Sequence, residues 1–189
     1  VAKELGFIYV DTGAMYRSMA LYFLRKGIKP EDEGQVAEAC KKITITIGYE
    51  NEAQQVYLNS ENVSGLIRTE EVGNMASAVS AYRPVREKLL ELQQNLAARE
   101  NVIMDGRDIG TCVLPHADTK IYLTAGSRVR AERRYKELEE KGIVCKLEEI
   151  EQDIIERDNR DMTREIAPLR QAEDAVLVDA SYMRSEERR

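Results

Sequence analysis

A single histidine, His116, stands in the 189 residues, and the three cysteines, Cys40, Cys112 and Cys145, are odd in number and far apart. One histidine and no closely spaced cysteines cannot assemble a zinc site. The cysteine count also argues against a disulfide framework, so reduced thiols in a cytosolic protein are expected. His116 follows Pro115, has no nucleophile beside it, and is expected in a solvated loop. No apolar run approaches the roughly 18 residues that span a bilayer, no signal peptide is visible, and there are no repeats or low-complexity tracts. The net charge of −6 argues against a broad nucleic-acid-binding face, while leaving room for a local basic cluster. Hydrophobic residues make up 43% and charged residues 33%, which supports a packed core under a heavily charged surface. The length fits one ordinary domain, or one core with a smaller lobe.

Short apolar runs alternate with helical stretches. Phe7–Val10, Val102–Met104, Lys120–Leu123 and Ala175–Val178 read as buried strands, apolar on both faces. Gly13–Lys26 carries Met15, Met19, Tyr22 and Phe23 at helical spacing. Pro84–Ala98 begins with a proline in its first turn and aligns Leu89, Leu92 and Leu96. Residues 127–141 and 147–164 predict two further charged helices. Such alternation implies a parallel sheet with crossover helices. From about 36 to 80 the rhythm changes: Ile43–Ile47 and Gln55–Leu58 alternate strictly around a turn-like Tyr49-Glu50-Asn51-Glu52. An inserted antiparallel hairpin or three-stranded lobe is expected there.

The ends predict further elements. Val1–Gly6 reads as the last turns of a helix closed by a glycine, which suggests a strand and a phosphate loop before it. No G-x-x-x-x-G-K-S/T occurs in the 189 residues. Ser185–Arg189 reads as the beginning of a helix.

Open α/β sheets bind ligands beyond the carboxyl ends of their strands, and two strands here end alike. One exits through Asp11-Thr12-Gly13-Ala14-Met15-Tyr16-Arg17, the other through Asp105-Gly106-Arg107-Asp108. Glycine admits close backbone approach, arginine offers a planar fork for two phosphate oxygens, and an acid at a strand end can hold a magnesium-bound water. The alternative is purely local: Asp11 and Thr12 cap a helix and Asp105 starts a turn. Further on, Arg157, Arg160, Asp161 and Arg164 fall on one helical face, either as a solvated face with exchangeable ion pairs or, with the basic helix Ser127–Lys136, as a mobile lid over polyphosphate.

The stretches DTGAMYR, SGLIRTEEVGNMAS, PVRE, DGRDIGTCVLPHADTKIYL and RDNRDMTREIAPL, in this order, closely resemble the bacterial cytidylate kinases of the nucleoside monophosphate kinase superfamily. The resemblance runs from Val1 to about Tyr182. It implies an α/β, P-loop NTPase-like fold: a parallel sheet flanked by helices, a small antiparallel nucleotide-binding lobe and a helical lid. The expected organisation is core at 1–35, lobe at 36–82, core at 83–126, lid at 127–164 and core at 165–189. It implies an enzyme of pyrimidine nucleotide metabolism that moves the γ-phosphoryl group of ATP, with Mg2+, to CMP or dCMP. Without its phosphate loop the 189-residue chain is expected to be inactive.

Roles follow from the same resemblance. Arg17, Arg107 and Arg164 match positions at the acceptor phosphate; Thr12, Arg86 and Asp108 match positions at cytosine; Ser77, Arg157 and Asp161 match positions near the pentose. Arg107, Arg157 and Arg164 are expected to serve the transfer itself, and Asp105 to orient magnesium, directly or through its water. Arg133 and Arg134 in the lid are the expected contacts to ATP. An aspartate acceptor beside an arginine donor can read cytosine's amino edge, where uracil presents a carbonyl. The lid, dense in like-charged arginines, is expected to be the most mobile folded part without nucleotide. A cytoplasmic monomer without nucleic-acid or membrane partners is expected. Two readings stay open beside this one: another phosphotransferase of the same fold, and a nucleotide-binding protein that has lost catalysis.

Overall fold

The computed structural model describes residues 1–50 and 53–183. It divides into two compact units, Val1–Ile109 and Gly110–Arg189.

The first unit opens with a short helix α1 (Ala2–Leu5), closed by Gly6 at φ +66°, as the sequence suggests. Strand β1 (Ile8–Asp11) runs without a break into α2 (Thr12–Arg25). Asp11 makes this possible, because its carboxylate accepts the Ala14 N–H at 3.0 Å and caps the new helix. Met15, Met19 and Phe23 recur on one face of α2 and are fully buried. Helix α3 (Glu33–Cys40) follows, capped by Asp32. Then come β2 (Ile45–Glu50), β3 (Ala53–Leu58) and β4 (Glu61–Asn62), an antiparallel sheet in the register Ile45↔Leu58 and Glu50↔Ala53. The inserted lobe is therefore as expected, although Asn51 and Glu52 of its turn lie outside the described residues. Helix α4 (Glu70–Val79) is capped by the Thr69 hydroxyl, and α5 (Arg83–Ala97) has Pro84 in its first turn. Strand β5 (Val102–Asp105) pairs in parallel with β1, matching Ile8 to Val102 and Asp11 to Asp105. A continuous apolar core joins α2, α3, α4, α5 and the lobe through Met15, Phe23, Val36, Ile45, Val56, Val72 and Leu89.

A π-helical turn, Ile109–Val113, leads into the second unit. There β6 (Ile121–Thr124) pairs in parallel with β7 (Val176–Asp179), and α6 (Ser127–Glu140) and α7 (Leu147–Thr163) lie between them in sequence. Gly142, at φ +71°, follows α6 in the left-handed conformation that a glycine adopts freely. The Lys120 ammonium accompanies the start of β6, donating to the Pro115 carbonyl and pairing with Asp174 at 2.7 Å.

Two expectations change. The parallel strands form two pairs, β1–β5 in the first unit and β6–β7 in the second. Nor are the apolar strands covered on both faces: Ile121 is 63% and Leu123 68% exposed, and Val176 and Leu177 are more than half exposed. Apolar sequence on two faces requires a layer over each, and the β6–β7 pair lacks one among the described residues. The expected start of a helix at 185–189 lies outside the described residues.

Candidate active site

In the first unit, the parallel register brings the two acid–glycine–arginine exits side by side. Asp11 and Asp105 are register partners, and the Thr12 hydroxyl donates to the Asp105 carbonyl at 2.6 Å. Gly106 fits this junction for a steric reason. A Cβ there would stand 2.5 Å from the Thr12 hydroxyl oxygen and 2.8 Å from Ile109, so a side chain would displace the Thr12 hydroxyl or the Ile109 side chain. The local reading of the first exit holds, since Asp11 caps and Thr12 begins a helix, and the Asp11 carboxylate also gathers arginines.

That charge is concentrated. One oxygen of Asp11 accepts from Arg17 and from Arg68, each at 3.1 Å. Burial lowers the Arg17 guanidinium's pKa from its ordinary value, and Asp11 opposes that shift. Its Nε is buried without a hydrogen-bond partner among the described residues. Arg107 adds positive charge that acts on both Arg17 and Asp105. Asp105 is exposed at the end of β5, yet desolvation of its carboxyl raises its pKa from the ordinary value, and repulsion from Asp11 adds to it. The Tyr9 hydroxyl donates to this carboxylate and has its own pKa raised, first by burial and then by that bond.

Beside this lies a second charged pair. Arg86 on α5 and Asp108 after β5 are 8% and 7% exposed and form a hydrogen-bonded ion pair. The other Arg86 nitrogen donates to the Ser80 carbonyl at 3.0 Å, and the guanidinium carbon lies 5.8 Å from the Tyr16 ring centroid. A guanidinium held from three directions presents a fixed fork. Ser77 on α4 has a buried hydroxyl oxygen without a hydrogen-bond partner among the described residues. Buried polar atoms are nearly always satisfied, so this hydroxyl is open to a water or another polar group.

The second unit holds the remaining expected residues. Asp161 is 5% exposed and pairs with Arg164 at 3.5 Å. The Arg164 Nε donates to the Ala167 carbonyl at 2.8 Å. Arg157 and Arg160 are exposed. α7 ends at Thr163 with Arg164 as its C-cap: its N–H still bonds the Arg160 carbonyl at 3.1 Å, and its ψ of 143° diverts the chain only beyond it, so the Asp161–Arg164 pair keeps the i, i+3 spacing of one helical face. The arginines of α6 are largely engaged. Arg130 forks onto Asp158 of α7, with one contact at 3.1 Å; Arg128 reaches Glu151 at 3.0 Å; Arg134 pairs with Glu137 at 3.3 Å. Arg133 donates to the Ala180 carbonyl at 2.6 Å. In this unit carboxylates thus compensate more of the arginine charge than the sequence reading assumes, which weakens the mutual repulsion it invokes.

Comparison with known proteins gives the family. The family profile described as cytidylate kinase matches residues 1–187. The chain belongs to the cytidylate kinase family. It is 47% identical over 187 residues to the cytidylate kinase of Geobacter sp. (strain M21), covering 99% of this chain and 80% of that protein. It is 46% identical to the cytidylate kinase of Carboxydothermus hydrogenoformans and 44% identical to that of Bacillus cytotoxicus, covering 84% and 83% of their lengths. Members of this family are nucleoside monophosphate kinases, so this α/β chain is a phosphotransferase of that class.

Four residues of the first cluster escaped the sequence reading: Tyr9, Tyr16, Gln54 and Arg68. Tyr16 and Arg68 lie inside the motifs DTGAMYR and SGLIRTEEV, so closer attention to the motif neighbours would have found them. Gln54 carries no sequence signal; only the fold brings it to Asp11.

Proposed function

We propose that the protein transfers the γ-phosphoryl group of ATP to CMP or dCMP. The carrying observation is the buried Arg86–Asp108 pair beside the Thr12–Gly106 junction. Two opposite charges kept this far from water are costly unless their remaining hydrogen-bonding positions are used. Together with the Thr12 hydroxyl they offer a donor and an acceptor to a planar edge, and cytosine's amino group beside its ring acceptors complements them.

The other assignments follow. Arg17, Arg107 and Arg164 hold the acceptor phosphate, and Ser77, Arg157 and Asp161 the pentose; the buried Ser77 hydroxyl supports this, since a sugar hydroxyl would satisfy it. Phosphoryl transfer asks the protein chiefly for positioning and charge stabilisation. Fixed guanidinium groups neutralise the phosphates that must meet, with Arg107 and Arg157 serving the transfer and Arg133 and Arg134 the ATP phosphates. Residues 127–164 act as the lid and 36–82 as the nucleotide-binding lobe. Among the described residues no group of three or more acidic, histidine or cysteine side chains could hold a metal ion. Magnesium would therefore be carried mainly by the nucleotide phosphates and water, with Asp105 supplying one hard oxygen beside that water. This fits its place at the strand exit, and the ion would neutralise phosphate charge.

The reading also takes the protein as a cytoplasmic monomer without nucleic-acid partners. The net charge of −6 supports the lack of a nucleic-acid partner, and the free thiols of Cys40, Cys112 and Cys145 support a reducing compartment. Among the described residues no helix is long and apolar enough to cross a membrane.

The test is a substrate panel on the protein expressed from its complete coding sequence. CMP and dCMP should exceed UMP in kcat/KM by about 10- to 100-fold, because uracil's carbonyl would face the Asp108 carboxylate and leave a buried acceptor unpaired at about 1–3 kcal/mol. UMP within twofold of CMP, or AMP as the preferred acceptor, would overturn the assignment.

A further inference from the structure

The main chain at Asp11 carries three side chains of the candidate site. Its own carboxylate takes Arg17 and Arg68, and the next residue, Thr12, ties the exit to Asp105. This pivot is held from outside the parallel strand pair. The Gln54 side chain, on β3 of the lobe, accepts the Asp11 N–H at 2.8 Å and donates to the Asp11 carbonyl at 3.3 Å. One amide thus satisfies both main-chain groups of one residue, as a neighbouring strand would. Directly across the hairpin, Tyr49 is the register partner of Gln54, and its hydroxyl donates to the Tyr9 carbonyl at 3.2 Å. The lobe therefore grips the end of β1 at two main-chain points, 43 and 40 residues away in sequence.

We infer that Gln54 is a positioning residue for the acceptor site, joining the placement of the lobe to the placement of Asp11 and Thr12. Its two bonds fix the backbone from which the Thr12 hydroxyl and the Asp11 carboxylate depart, and Arg17 is oriented through that carboxylate. Linkage makes the coupling reciprocal: a nucleotide that orders Thr12 and Arg17 also holds the lobe, and a lobe detached from Asp11 leaves them less ordered. The inference rests on the reading of Thr12 and Arg17 given above.

The test uses Gln54→Met in the full-length protein, which keeps the arm's length and removes the amide. Losing two hydrogen bonds at one residue predicts a KM for CMP raised about 10-fold, kcat lowered less than threefold, and a KM for ATP within twofold of the parent. The effect should run through Thr12 and, by way of Asp11, Arg17. In a double-mutant cycle, Gln54→Met combined with Thr12→Ala should lose clearly less than the sum of the two single losses. Additive losses, CMP and ATP KM values rising together, or a CMP KM within twofold of the parent would each overturn the inference. Should the Met variant fail to fold, Gln54→Asn shortens the arm by one carbon and is expected to give the same split at about threefold; no split would count against the inference. Hydrogen exchange without nucleotide separates this inference from the substrate assignment. Amides 11–14 should exchange about 10-fold faster in Gln54→Met even if the parent has no activity on CMP, and unchanged exchange overturns the clasp whatever the substrate.

Discussion

The strand exits of the first unit and the helix pair of the second are built from the same arginines and carboxylates, yet their charges stand in different surroundings. At the exits, Arg86 and Asp108 are almost wholly removed from water, Arg17 is partly desolvated, and the Ser77 hydroxyl is left over. Along α6 and α7, Arg128, Arg134 and Lys146 meet Glu151, Glu137 and Glu149 in pairs open to solvent. Water screens the second set, and each pair can exchange partners at little cost. The first set cannot relax that way, so its geometry is fixed before a ligand arrives. Charge density alone does not mark a site; charge held where water cannot answer it does.

The sharpest way to break the comparison is to unpair the buried set. Arg86→Met leaves Asp108 as a buried carboxylate without its guanidinium partner, which should cost about 3–5 kcal/mol of stability. For a chain of this length that lowers Tm by roughly 10 °C, at about 2–4 °C per kcal/mol. A melting curve within 2 °C of the parent would place the pair among the solvated ones. Next comes Arg107→Ala, at the strand exit and outside the apolar core. Removing one charge-assisted phosphate contact should lower kcat about 100-fold, on the order of 3 kcal/mol in the transition state, with Tm nearly unchanged. A variant that melts far below the parent, or that keeps near-parental turnover, would contradict the assignment.

The contrast explains what sequence could and could not show. The crossover rhythm, the inserted antiparallel lobe and the glycine-closed first helix were legible because each depends on local periodicity or a local turn. The acid–glycine–arginine exits were legible because each lies within a few consecutive residues. What escaped depends on pairing across distance. Arg68 and Gln54 reach Asp11 over 57 and 43 residues, and no local pattern announces such a meeting. The exposure of Ile121 and Leu123 was invisible because an apolar strand reads alike whether or not a layer covers it.

A smaller effect tests whether burial at the exits works against stability. The Asp105 carboxyl has its pKa raised from the ordinary value, chiefly by desolvation and further by Asp11; the Tyr9 hydroxyl opposes this, and desolvation outweighs it. A carboxyl whose folded pKa lies above its unfolded value of about 3.9 favours folding in its protonated form. That contribution is full below about pH 3.9 and is lost as pH rises through the folded pKa. At neutral pH the Asp105 charge therefore works slightly against folding, an effect that solvent at this exposed residue keeps small. Asp105→Asn should raise Tm at pH 7, and the gain should shrink toward zero as pH falls to about 4, while turnover drops. A Tm gain that is the same at both pH values would show that the carboxylate is not strained by its surroundings.

The smallest expected change lies on the other side of the comparison. Arg128 on α6 reaches Glu151 at 3.0 Å, Glu132 at 3.6 Å and Glu148 at 3.8 Å, and its side chain is 49% exposed. Three carboxylates around one guanidinium look like a strong anchor between the helices. Each contact, however, competes with water, and holding a long side chain among several partners costs rotamer freedom. Arg128→Ala should therefore move Tm by about 1 °C or less at low ionic strength. That small difference should disappear in 1 M salt, where the Debye length is about 3 Å. The Arg86→Met difference should persist in the same salt, because ions do not enter a pair buried from water. Melting both variants across a salt series reads the two regions against each other. If Arg128→Ala lost several degrees independently of salt, α6 and α7 would be joined by a desolvated charge network of the kind seen at the strand exits.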